Sequence, residues 1–266
     1  MDLERFQHAI SLRDAGKLEE SASELHSMYE ELRGVSREEA GLMLLNEAVC
    51  LSKQGKPLEQ CKTLLNQASE LLGKDETKRA LVDYTEASFH MGYRDRDPVK
   101  ALEKLDSVLR KHAEILRDRR TRELLYGEIQ LRRGLLLVEF KRFQEARKIL
   151  KEVLELDVGK DAAFYFNLGR CHTELKEWDM ATSQLLKALD MGLPEDSAVR
   201  THFYLGTIYY QQGAHGKALQ EFEFCEANLG RSTMPSRVLY KWLALTCQTI
   251  GRDENARRYS ELVRNA

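Results

Sequence analysis

Proline is scarce in this chain, four residues in 266, and glycine numbers only 16. So few breakers leave long stretches rich in Leu, Ala, Glu, Lys and Arg, which favour helices over strands. Long apolar runs are missing too: nothing approaches the roughly 18 consecutive apolar residues of a membrane span, so no membrane helix is expected. Cysteine is limited to Cys50, Cys61, Cys171, Cys225 and Cys247, with no CxxC pair, which predicts a reducing, cytoplasmic setting. The first residues, MDLERFQHAI, carry two acids and an arginine with no apolar run behind them, unlike a secretory signal. Neither sign of charge is in excess. The 41 basic and 43 acidic residues give a net charge of −2, which disfavours a general nucleic-acid binder and a polybasic membrane anchor.

Catalytic signatures are equally sparse. The seven histidines are scattered, with no HExxH and no paired Cys/His spacing of a zinc site. Cys171 and His172 are adjacent, but neighbours on a helix point about 100° apart and cannot easily share a metal. His172 reads as a core residue of its helix. No phosphate-binding glycine loop and no GxSxG elbow occurs. The chain is therefore expected to be no enzyme and to hold no cofactor or metal.

What the chain does contain is a repeat. The segment from Ala162 to Leu193, AAFYFNLGRCHTELKEWDMATSQLLKALDMGL, places Leu168 and Gly169 ahead of Ala181, Leu185 and Ala188. The next segment repeats that order with Leu205, Gly206, Ala218, Phe222 and Cys225. Small residues in this order let two antiparallel helices approach closely, while larger apolar neighbours fill the space beside them. The same grammar runs along the chain. First-helix small residues fall at Ala9, Ala48, Ala87, Gly134, Gly169, Gly206 and Ala244. Second-helix counterparts fall at Ser21, Cys61, Ala101, Ala146, Ala181, Ala218 and Ala256. Gly16, Gly55, Gly213 and Gly251 stand between the helices, where a helix end favours positive φ.

These residues resemble the tetratricopeptide repeat (TPR) family, and the resemblance covers essentially the whole chain. It implies an all-α, right-handed superhelical α-solenoid of about seven hairpins, near residues 2–33, 37–73, 76–117, 121–157, 161–192, 196–230 and 235–265, forming a single array over 1–266. The spacing departs from the family period of roughly 34 residues. The longest step, Ala87 to Gly134, contains the turn MGYRDRDP and the basic junction RDRRTR, Arg117 to Arg122. The family's large helix-A aromatic is Tyr165 in one repeat and His202 in the next, and its helix-closing proline is missing, with Pro194 and Pro235 close to that place.

In such a solenoid the first helices line a concave groove. The phase places Phe6, Ile10, Leu45, Val49, Tyr84, Leu131, Leu135, Phe166, Arg170, Arg200, Phe203, Tyr210 and Lys241 on that face. An apolar trough of this kind suits an amphipathic helix or an extended apolar peptide. The alternative is that packing of neighbouring helices buries these positions. Phe166, Phe203 and Tyr210 are expected to form one apolar strip. Arg170, Arg200 and Lys241 border it and would favour an apolar partner with acidic flanks. The lysine and asparagine of a family carboxylate clamp are absent at the matching positions. The expected role is an adaptor or scaffold binding another protein or peptide. A ligand-responsive regulatory sensor is the alternative, and an RNA-binding array is less favoured. The terminal helix leaves a homodimer open. The Arg117–Arg122 junction reads as a solvated loop, with an acidic partner or RNA as its functional alternatives.

Overall fold

The computed structural model describes residues 2–92, 96–118, 121, 125–156 and 158–265, and the regular structure among them is helical, with no strand. Tyr93, Arg94, Asp95, Arg119, Arg120 and Arg122 lie outside the described residues, and with them most of the basic junction. Among the described residues fourteen α-helices follow in order. They are α1 (Leu3–Asp14), α2 (Leu18–Leu32), α3 (Arg37–Lys53), α4 (Leu58–Leu72), α5 (Glu76–Phe89), α6 (Pro98–Lys111) and α7 (Gly127–Glu139). Then come α8 (Phe143–Leu154), α9 (Ala162–Glu174), α10 (Trp178–Asp190), α11 (Glu195–Gln211), α12 (His215–Ala227), α13 (Ser236–Thr249) and α14 (Asp253–Asn265). Short 3-10 turns occupy Ile115–Arg117 and Leu229–Arg231.

Local chemistry sets the helix starts. The side chains of Asp2, Ser36, Asp75, Asp97 and Asp161 each accept a hydrogen bond from a first-turn amide, at 3.1, 3.5, 2.9, 3.0 and 2.8 Å. All four prolines stand at helix starts as well: Pro57, Pro194 and Pro235 cap α4, α11 and α13, and Pro98 opens α6. Pro194 and Pro235 thus begin first helices, where the missing amide of proline costs nothing.

The helices pair as α1–α2, α3–α4, α5–α6, α7–α8, α9–α10, α11–α12 and α13–α14, seven hairpins in all. The contacts gather into two compact units, Met1–Arg133 and Gly134–Ala266. Within each, the second helix of one hairpin packs on the first helix of the next, as α2 on α3, α4 on α5, α8 on α9, α10 on α11 and α12 on α13. This is the α-solenoid fold.

The repeat phase holds in the packing. Ala9, Ala48 and Ala87 of the first helices are buried, as are Ser21, Cys61, Ala101, Ala146, Ala181 and Ala218 of the second. In the first hairpin small meets small directly: Ser21 Oγ donates to the Ala9 carbonyl at 2.7 Å. In the glycine-bearing hairpins the small residue faces a large one instead. A Cβ on Gly134, Gly169 or Gly206 would lie 2.6 Å from Leu150, 2.7 Å from Leu185 and 2.6 Å from Phe222. The last hairpin is looser, with Ala244 and Ala256 only half-buried.

Gly16, Gly55, Gly213 and Gly251 all have positive φ, as their place after the first helix requires. Two hairpins fill that place with lysine: Lys141 (φ 58°) and Lys176 (φ 59°). The turn geometry is a property of the repeat, and glycine is only its least strained occupant.

Candidate functional site

In unit 2 the first helices stand side by side, α9 touching α11 and α11 touching α13. Their common face carries the residues that the sequence singles out. Ser232 and Thr233, ahead of α13, are tied to Asp196 at the start of α11. The Asp196 carboxylate accepts from Ser232 Oγ (2.8 Å), the Thr233 amide (2.6 Å) and Thr233 Oγ1 (3.0 Å). The Thr233 amide foremost, with the two hydroxyls, holds this carboxyl below its ordinary range despite some desolvation.

The expected strip of Phe166, Phe203 and Tyr210 does not form. Phe166 is only 7% exposed. Its ring packs on Tyr204 of the next first helix, centroids 6.1 Å apart, and the Arg170 guanidinium covers it at 5.7 Å. Phe203 packs on Tyr204 and Phe222 at 6.2 and 5.8 Å. Tyr210 packs on Trp242 at 5.4 Å and shares a 3.0 Å hydrogen bond with Thr249. With Phe222 on Trp242 at 5.8 Å, the rings form one seam, Phe166–Tyr204–Phe203–Phe222–Trp242–Tyr210, that joins α9, α11, α12 and α13. The aromatic side chains are mortar between hairpins, with Phe166 buried and Phe203 and Tyr210 half-buried.

The other predicted positions sort by burial. Leu45 (4% exposed) and Leu131 (7%) are core residues. Phe6, Ile10, Val49, Tyr84, Leu135 and Arg170 are half-buried, and Arg200 and Lys241 are exposed. The buried ones lost their place on the surface because each hairpin packs tightly on the next, covering the side chains between neighbouring helices. Half-buried Tyr84 is desolvated enough to raise its phenol pKa, and it interacts with Arg132 on α7.

The open part of the face lies on α13. Val238 and Leu245 are 40% and 43% exposed and stand two turns apart, with Lys241 between them. Arg200 on α11 is exposed and 3.6 Å from its own-helix partner Asp196. Tyr204 and Trp242, unrecognised in the sequence, complete the seam below. Each sits one residue past the position assigned to the groove, and only its size marked it among large neighbours such as Phe203, Leu205, Tyr240 and Leu243.

Nothing in this region is arranged for nucleophilic chemistry. None of the five cysteines is in a disulfide, and all are buried. Burial pushes the Cys171 and Cys225 thiols up to about 12, far from the thiolate form. His172 is buried in α9 with Nδ1 2.5 Å from Glu177, which also pairs with Arg147 of α8. Burial would raise the Glu177 carboxyl, but His172 and Arg147 outweigh it and hold the group below its ordinary range. That cluster joins one hairpin to the next, the structural role read from the sequence.

A family model described as tetratricopeptide repeat matches residues 131–196. No curated protein sequence matches the chain. Among solved structures, PilF of Pseudomonas aeruginosa is similar with a TM-score of 0.58 at 17% identity, over 86% of this chain and 92% of its own. A chain of the APC/C hetero-tetramer Cut9–Hcn1 is similar with a TM-score of 0.63 at 17% identity, over 90% of this chain and 42% of its own. YrrB, described as a TPR protein with an unusual peptide-binding site, has a TM-score of 0.53 at 19% identity, over 77% of this chain and 91% of its own. At such identities the likeness shows the fold alone. Residues 131–196 are similar in sequence to the tetratricopeptide repeat family, and over most of its length the chain has the same helical-repeat fold as these solved structures.

Proposed function

We propose that this protein is an adaptor that holds a segment of another protein on the first-helix face of unit 2. The observation that carries the reading is the exposed pair Val238 and Leu245, with Lys241 between them on α13, beside the half-open rings of Phe203 and Tyr210. Large apolar side chains left bare on a helix face cost solvation unless a partner covers them. Lys241 makes no ion pair with the described residues, so a carboxylate of the partner would complete it. The bound segment is then apolar with acidic flanks, presented as a helix or an extended strand. YrrB shares the fold and by its description binds peptide, which supports the same use here. Buried thiols with no disulfide among them fit a reducing compartment, and we infer a cytoplasmic setting. No helix among the described residues is long and apolar enough to cross a membrane.

Selection from a displayed peptide library tests this. Peptides enriched on the wild type should combine apolar residues with Asp or Glu, and should be lost on Val238→Ser/Leu245→Ser. Hot-spot truncations cost about 2 kcal/mol or more, so well over tenfold in affinity is expected. Both side chains are exposed, and the variant should keep its helical spectrum. Enriched peptides that bind the variant equally well would remove this face from consideration.

A further inference from the structure

Unit 1 carries a second concave feature, at the C-terminal end of α6. Two adjoining clefts flank the 3-10 turn Ile115–Arg117. One, of about 690 Å³, is lined by Arg110, Lys111, Ile115, Arg117 and the acids Glu76, Glu114 and Asp118. The other, of about 370 Å³, is lined by Leu109, Leu116, Tyr126 and Gln130 and shares Ala113 and Arg117 with the first.

The charges in the larger cleft are unequally spoken for. Glu76 lies 3.1 Å from Nδ1 of the buried His112, whose Nε2 is 2.8 Å from Asp83. Lys111 reaches the same Asp83 at 2.6 Å. Asp118 accepts from the amide and hydroxyl of Thr121 at 3.1 and 3.2 Å. Arg110 and Arg117 are exposed and make no ion pair with the described residues, and Glu114 alone among the lining acids is left to oppose them.

We propose that this double cleft binds an acidic segment of a partner protein, its carboxylates on Arg110 and Arg117 and an adjacent apolar side chain in the Leu109–Leu116–Tyr126 cleft. Arginine suits carboxylates because its planar fork can make paired hydrogen bonds. An apolar anchor beside the charges gives selectivity that charge alone lacks. A nucleic-acid backbone fits less well: Glu76, Glu114 and Asp118 on the same rim would repel an extended row of phosphates, whereas a short peptide can place its charges between them.

Fluorescence anisotropy with the full chain tests this. The probes are a labelled peptide of alternating Glu and Asp around a central Leu-Phe pair, the same peptide with Ser-Ser at the centre, and a single-stranded RNA of equal charge. The Leu-Phe peptide should bind best, the Ser-Ser peptide at least threefold more weakly and the RNA more weakly still. Arg110→Glu/Arg117→Glu should weaken the Leu-Phe peptide more than tenfold. Arg257→Glu/Arg264→Glu, a reversal of equal charge on α14, should leave it within about twofold, which separates a site from a diffuse field. Val238→Ser/Leu245→Ser should also leave it unchanged, so failure of the α13 reading and failure of this one are distinguishable. RNA binding tighter than the peptide, equal loss in both charge-reversed variants, or no peptide binding at low salt would each overturn the proposal.

Discussion

At Gly169 the chain spends a whole side chain on proximity. A Cβ there would stand 2.7 Å from Leu185 Cγ and 3.3 Å from the Leu185 amide, so even a methyl group forces the helices apart. Gly169→Leu should therefore destabilise the protein beyond the usual overpacking loss of about 1–3 kcal/mol. Glu174→Leu, exposed on the same helix, should change it by under about 0.5 kcal/mol. Urea unfolding of the two variants checks this, and equal losses would mean that the helix contact lies elsewhere. Lys176 makes the opposite case. Its positive φ strains a residue with a Cβ, while glycine there would free the unfolded chain as well. Lys176→Gly is expected to be neutral to stabilising, by up to about 1 kcal/mol, whereas Gly213→Lys at the equivalent turn should lose about that amount. Phe166 and Phe203 belong to this scale too. Because both rings lie in the seam between hairpins, Phe166→Ala/Phe203→Ala is a core truncation, each ring costing several kcal/mol, and loss of binding in it would report unfolding.

Between residues and molecule stand the helix pairs, and α5–α6 shows how side chains tie one together. Asp83 on α5 meets both Lys111 and His112 at the end of α6. Burial alone would raise its carboxyl, but the hydrogen bonds from Lys111 and His112 outweigh it and hold it below the ordinary range. A carboxylate held low contributes stability that is complete above its unfolded value, about 3.9, and is lost as pH falls through the lower folded value. Wild type should thus be more stable than Asp83→Asn near neutral pH, and the gap should close in acid below about pH 4. A gap that widened in acid would refute the assignment. At this scale the sequence was most legible. Small residues in phase and glycine between helices report directly on how close two helices can come, and the buried Ala9, Ala48, Ala146, Ala181 and Ala218 follow that pattern. The groove face was legible in phase alone. A residue such as Phe166 or Leu45 has one angular position on its helix whether it meets solvent or the next hairpin. Which of the two it meets depends on how tightly neighbouring hairpins pack, and that is set by partners such as Tyr204 and Trp242 far along the chain. The lysine-filled turns at Lys141 and Lys176 were hidden for a related reason, since strain tolerated by tertiary packing leaves no local mark.

For the whole molecule the consequence of the solenoid is that stability is carried from neighbour to neighbour, with few contacts between distant hairpins. Compact units of this kind need not lose structure together, and a single unfolding free energy then ceases to describe the chain. Two steric insertions probe this. In unit 1 a Cβ on Gly41 would lie 2.8 Å from Leu72 Cγ and 3.1 Å from the Ala68 carbonyl, so Gly41→Leu strains the α3–α4 hairpin. In unit 2 Gly169→Leu strains α9–α10. Native-state hydrogen exchange should show Gly41→Leu lowering protection through α2–α5 while α9–α12 keep theirs, and Gly169→Leu doing the reverse. Helix α14 should open readily in both, because its last hairpin is half-buried where the others are closed, with Tyr259 its one fully buried side chain among the described residues. Tyr259 is held by its 2.6 Å hydrogen bond to Glu226 and by Arg258 stacked 4.6 Å from its ring, so Tyr259→Phe should speed exchange in α14 without reaching α9. Uniform loss of protection along the chain in either glycine variant would mean that the units fold as one cooperative body, and the neighbour-to-neighbour account would fail.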